Sequence, residues 1–102
     1  MWIGAHVESA VVADHLCTTV PSETHKFYSQ QRGGILLTAR LAERSRQLGL
    51  VAQHGDKPAS AKRDTDDADM LDAHVARLFL SNGWDLAKPE ILKILDIADF
   101  SA

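Results

Sequence analysis

Cysteine is almost absent from this sequence of 102 residues. Cys17 stands alone, so no disulfide can close within the chain, and the stapled scaffold of a small secreted domain is excluded. Aromatic residues are few as well, at 6%, and no apolar run is long enough to cross a bilayer. The opening residues Met1 to His6 carry no basic region ahead of an apolar stretch, and His6, Glu8, Asp14 and His15 interrupt any leader-like run. A reducing, cytoplasmic setting with no membrane attachment is therefore expected. Positive charge is not in excess either: the formal net charge is −3. Non-specific binding of nucleic acid, which draws its affinity from lysine and arginine neutralising phosphates, is disfavoured.

What remains is an ordinary globular composition, 45% hydrophobic and 25% charged. A chain of this length has interior for one continuous core, so residues 1 to 102 are expected to form a single domain. One stretch differs from the rest. Residues 53 to 63, from Gln53-His54-Gly55 through Pro58 to Lys62-Arg63, have no apolar periodicity and read as a mobile connector.

The apolar spacing elsewhere predicts helices. Val7 with Val11, and Val12 with Leu16 on the opposite side, place one over residues 5 to 17. Val20-Pro21 ends it, Ser22 is the expected cap of a short helical turn carrying Phe27 and Tyr28, and Gly33-Gly34 should break the chain again. From Ile35 to Leu48 a further helix is expected, with Leu37, Leu41 and Leu48 on one stripe and Gly49 ending it in a left-handed conformation. Arg44 falls inside that stripe, as a snorkelling or paired arginine does.

The best-marked helix runs from about Asp66 to Asn82. Asp64, Thr65 or Asp66 would cap it, Asp67 and Asp69 would complement its dipole, and Gly83 would turn the chain at its end. Leu71, Val75, Leu78 and Phe79 make one apolar face, and Ala73, Ala76 and Leu80 lie on another, so this helix should be the centre of the fold. Pro89 would then open a last helix through about Asp99, with Ile91, Ile94, Leu95 and Ala98 inward. These readings amount to an all-α bundle of four or five helices.

Sharper chemical motifs fail on their spacing. Asp64-Thr65-Asp66-Asp67-Ala68-Asp69 begins like a calcium loop, yet alanine, aspartate and valine stand where the loop needs an oxygen ligand, a glycine and a bidentate carboxylate. The same aspartates suit the start of a helix better than a magnesium site. His6, His15, Cys17 and His25 match no zinc spacing, and on a helix His15 and Cys17 point about 200° apart, too far for a nucleophile and its base. His74 has no evident partner for acid–base work. Arg32-Gly33-Gly34 ahead of a helix would offer backbone N–H groups to an anion, but no Gly-Lys-Ser/Thr ending follows. Neither a metal nor a cofactor site is predicted.

Two surfaces are left. Projected at 100° per residue, Ile97 and Phe100 fall on the far side of the last helix among Glu90, Lys93 and Asp96, where an apolar pair in a polar rim would anchor a protein partner. Arg40, Arg44 and Arg46, with Lys62 and Arg63 if the connector folds back, would form a phosphate-contacting patch. The run from Leu86 to Ile97 resembles in texture the first helix of a helix-turn-helix reader, but the recognition helix that should follow has no place before Ala102. The sequence thus leads to a non-enzymatic regulatory or interaction protein that binds another macromolecule, as a homodimer in one form of that reading. A helix-turn-helix type nucleic-acid regulator is the alternative, and a small metal-dependent or hydrolytic enzyme a distant third.

Overall fold

The computed structural model describes residues 2 to 50 and 61 to 97, and among them every regular element is a helix. These are α1 (Trp2–Thr19), α2 (His25–Ile35), α3 (Thr38–Gln47) and α4 (Ala61–Ile94). The expected all-α class is therefore observed. None of these helices is long and apolar enough to cross a membrane.

Helix α1 extends past both expected ends. Val7, Val11, Val12 and Leu16 are all buried in one core rather than divided between two faces, because adjacent Val11 and Val12 sit only 100° apart and α1 is covered by both α2 and α4. The turn into α2 is held by Tyr28, whose hydroxyl donates to the Val20 carbonyl at 2.6 Å and accepts from the Glu23 amide at 3.1 Å. Thr24, not Ser22, caps α2: its extended backbone lets Oγ1 accept the Phe27 amide at 3.1 Å, whereas Ser22 adopts a left-handed φ of 69°.

Gly33 and Gly34 do not break the chain. They lie inside α2, whose ladder continues to the Leu36 amide on the Arg32 carbonyl, since glycine costs a helix only about 1 kcal/mol against alanine. The following helix consequently starts at Thr38 instead of Ile35, and its predicted stripe splits. Leu41 is buried with Ala42 and Ser45, while Leu37 and Leu48 are exposed. Its end matches expectation. Gly49 at φ 73° sends its amide to Arg46 and the next amide, of Leu50, to the Ser45 carbonyl at 2.7 Å, the paired bonds of a Schellman turn.

Helix α4 is the centre of the fold, packed by α1 and by α3. It begins at Ala61, so residues 61 to 63 belong to it and not to the expected connector, whose residues 53 to 60 lie outside the described residues. At Gly83 the backbone leaves helical geometry, with φ 78° and ψ 175°, and the chain turns back. The reversal follows from the contacts of α3: Arg46 reaches Asp64 while Arg44 reaches the Ile94 carbonyl, two points that a straight helix would hold about 45 Å apart. Leu71 and Val75 before the corner thereby meet Ala87, Ile91 and Leu95 after it in one buried cluster.

The second half of α4 starts directly after Gly83, so Pro89 sits inside the helix rather than at its first position. Lacking an N–H, it leaves the carbonyl of exposed Asp85 without its intrahelical partner. The helix ends at Ile94, not near Asp99. Asp96 takes a left-handed φ of 53°, its amide bonds the Lys93 carbonyl at 3.0 Å, and the Ile97 amide returns to Leu92 at 3.2 Å, a second Schellman turn.

Candidate functional site

Among the described residues, exposed large apolar side chains are most closely spaced along the chain at the Gly83 corner. Leu80 is 66% exposed, Leu86 69% and Trp84 36%, all within one turn of the reversal. The local sequence explains the exposure. Gly83 supplies the positive φ that other residues resist, and the reversal carries Leu80 and Leu86 past the end of the core. Along the chain, exposed Arg77 precedes this stretch and exposed Asp85 stands between Trp84 and Leu86, so charges of both signs accompany it. Lys88, one turn beyond, is instead turned inward onto the Asp14 carboxylate.

A second feature lies where α1 crosses the first half of α4. Gly4 is packed so tightly that a β-carbon there would stand 1.8 Å from the Asp72 carbonyl oxygen. One turn further along α1, this approach places the Glu8 carboxyl against Asp72, with 1% and 8% of the two residues exposed. Burial, reinforced by the hydrogen bond and the charge of Asp72, pushes the Glu8 carboxyl up to about 10, so at neutral pH it is a protonated acid donating to its neighbour. Oε1 of Glu8 and Oδ1 of Asp72 are buried and have no hydrogen-bond partner outside this carboxyl pair. Both residues border a cavity of about 230 Å³. Buried Leu41 and Ala68 share its floor, half-buried Leu36 its side, and exposed Ala5, Thr38, Thr65 and Asp69 its rim.

Comparison with protein-family models, with curated proteins and with solved structures gives no match.

Of the residues singled out from the sequence, Ile97 and Arg40 border one cavity, while Arg44 and Arg46 engage opposite ends of α4. Ile97 is half-buried and packs against the core, because the chain reverses at Asp96 and the angular projection along a continuing helix no longer applies. It lines, with Ile35, Arg40 and Asp96, an open cavity of about 480 Å³. Phe100 and Ala98 lie outside the described residues.

The three arginines of α3 are all engaged with α4 or its own neighbours. Arg40 donates to the carbonyls of Ile35 (2.8 Å), Leu95 (2.7 Å) and Asp96 (3.1 Å). Arg44 donates to Ile94 (2.8 Å), Lys93 (3.2 Å) and Gln47 (2.6 Å). Carbonyls at a helix C-terminus lack intrahelical partners and carry partial negative charge, so these two cations satisfy and stabilise the end of α4. Arg46 instead grips its beginning, at 2.6 Å from Asp64 and 2.8 Å from the buried Asp67. Asp67 is thus an ion-pair partner in the interior, not a solvated complement to a helix dipole.

Among the described residues no three His, Cys, Asp or Glu side chains are grouped to hold a metal ion. The Arg32-Gly33-Gly34 segment lies within α2 and does not precede a helix N-terminus. Cys17, exposed on α1, shares a cavity of about 190 Å³ with His25, Tyr28, Ser29 and Arg32 rather than with His15. Sequence reasoning missed the two features described first. Helical spacing places Leu80 on a buried face, and nothing in the spacing of Glu8 and Asp72 signals their contact; the signal for the corner is Gly83 flanked by large apolar residues on both sides.

Proposed function

We propose that this chain is a non-enzymatic interaction protein that acts by binding, and that the partner at the Gly83 corner is a second copy of itself. The observation that carries the reading is the exposure of Leu80, Trp84 and Leu86 together at one reversal. Apolar side chains clustered on an exposed corner mark an interaction surface, and a tryptophan anchor supplies binding energy when surrounding apolar contacts, such as those of the two leucines, exclude water from it. The choice of partner rests on charge. In a twofold arrangement Arg77 of one copy would face Asp85 of the other, an ion pair repeated on both sides of the axis. A surface of three side chains and their rim belongs to the class of weak, reversible interfaces that bury less than about 1,200 Å².

A nucleic-acid reading draws less support, because Arg40, Arg44 and Arg46 spend their donors on α4. Sedimentation velocity over a wide concentration range tests the proposal. The wild-type coefficient should rise with concentration from monomer toward dimer, and the Leu80→Ser, Leu86→Ser double variant should stay monomeric with unchanged helicity. A wild type that is monomeric throughout, or a folded variant that associates equally well, overturns it.

A further inference from the structure

The sequence holds a single asparagine, Asn82, and the residue after it is Gly83. This dipeptide stands at the reversal of α4, between exposed Leu80 and exposed Trp84. We propose that Asn82–Gly83 is a site of spontaneous covalent modification, at which the corner converts its asparagine to aspartate and isoaspartate. Glycine in the next position is what exposes an asparagine to this chemistry: with no β-carbon in the way, the following main-chain nitrogen reaches the side-chain carbonyl carbon. The Gly83 nitrogen, having given its proton to hydroxide, bonds to Cγ of Asn82; the Cγ–Nδ2 bond breaks, and ammonia leaves with a proton from water. A five-membered succinimide remains. Water opens it at Cγ to give aspartate, or at the main-chain carbonyl carbon to give isoaspartate. The net exchange is one amide for one carboxylic acid, ionised at neutral pH, and it requires no oxidant.

The structure favours the reaction at this place. Asn82 is exposed, so hydroxide and water reach it. Its carboxamide makes no hydrogen bond among the described residues, which leaves Cγ free to turn toward the chain. Gly83 leaves helical geometry at φ 78° and ψ 175°, so Asn82 ends the first half of α4. Ring closure rotates the Asn82 ψ out of its helical value. In a helix interior that rotation breaks a turn of hydrogen bonds, whereas at a helix end the last carbonyls have no intrahelical amide to lose. A β-carbon on Gly83 would meet nothing within 4 Å, so no neighbour holds the turn from that side. Gln30, Gln31, Gln47 and Gln53 do not share the chemistry, because the same attack must close a less favourable six-membered ring.

The consequence of the modification, unlike the site itself, rests on the corner-to-corner reading above. Each conversion sets a negative charge at the C-terminal end of a helical segment, where the helix dipole disfavours it. In a twofold contact both copies carry that charge on the same surface, and isoaspartate also lengthens the main chain by one carbon beside the reversal. Association at the corner should therefore weaken as the molecule ages.

The test holds the folded wild-type chain at mildly alkaline pH and follows the peptide containing residue 82 by mass spectrometry, with a protease that cuts before aspartate but not isoaspartate to separate the products. Conversion is expected at residue 82, to both products, and within about tenfold of the rate in an unstructured peptide of the same local sequence, as befits a fraying helix end. Asn82→Gln should stay unchanged over the same period. An unconverted residue 82, or conversion more than about a hundredfold slower than in the peptide, shows that the fold protects the site and overturns the proposal. Sedimentation of fresh, aged and Asn82→Asp chains reads the consequence: the aged and Asn82→Asp chains should associate less than the fresh one, and equal association of all three overturns that part. A fresh chain that is monomeric throughout counts against self-association, while the mass measurement still decides the site.

Discussion

Gly4 and Asp72 are in backbone contact, so close that a β-carbon on Gly4 would stand 1.8 Å from the Asp72 carbonyl oxygen. That oxygen is main chain and cannot swing aside. Gly4→Ala must therefore push α1 away from α4 and cost about 3 kcal/mol or more. Gly33 and Gly34 form the internal control, since nothing lies within 4 Å of a β-carbon at either and both are helical. Alanine there should stabilise the chain, by up to about 1 kcal/mol at each position. Urea midpoints of the three variants check both signs.

The core gives a second comparison. Leu71 and Ile91 are fully buried on opposite sides of the Gly83 corner, whereas Leu78 is only half-buried. Truncating Leu71 or Ile91 to alanine should cost about 2–5 kcal/mol, and Leu78→Ala clearly less. Equal losses at the three positions in denaturant titrations would contradict the packing described.

That difference shows how far the sequence alone reached. Leu71, Val75, Ile91 and Leu95 were legible as core, because apolar spacing of 3.6 residues reports on any helix with one covered side. Gly49 and Gly83 were legible as reversals, because a positive φ selects glycine. Leu78 and Leu80 were overrated, since periodicity does not say where a neighbouring helix stops. Asp96 was not legible as a stop, being an aspartate in the left-handed position that glycine usually fills. Arg40, Arg44 and Arg46 looked like a surface patch because a sequence does not show that the two ends of α4 return to α3. The candidate sites were hardest of all: Glu8 and Asp72 meet only through the close approach that Gly4 allows.

The buried acid sets the pH dependence. Glu8 has its folded-state value raised from an ordinary 4.5 to about 10, so the native chain holds a proton that the unfolded chain has released. Its contribution to stability is fully present below pH 4.5 and is lost as pH rises toward about 10. Glu8→Gln, uncharged at every pH, should flatten that decline and exceed the wild type in stability on the alkaline side. Urea unfolding at stepped pH measures the slope, and an equal slope in wild type and variant would show that Glu8 ionises freely in the native state.

Arg40 and Arg44 hold carbonyls that no intrahelical amide can reach. Replacing Arg40 by alanine should speed hydrogen exchange at Leu95, Asp96 and Ile97, where the Schellman turn loses its clamp, and leave exchange at Leu71 and Val75 unchanged. Uniform acceleration across the chain would mean that Arg40 supports the whole fold rather than this terminus.

The central claim is that two copies meet corner to corner, and proximity across that contact can be measured directly. In a Cys17→Ser background, Asn82→Cys places one thiol beside Gly83, and Ser29→Cys places one on α2, remote from the patch along the chain. Under mild oxidation the account predicts that Asn82→Cys forms a covalent dimer readily at concentrations where the wild type associates, while Ser29→Cys does so only slowly. Equal yields from the two variants, or no dimer from Asn82→Cys, would contradict it.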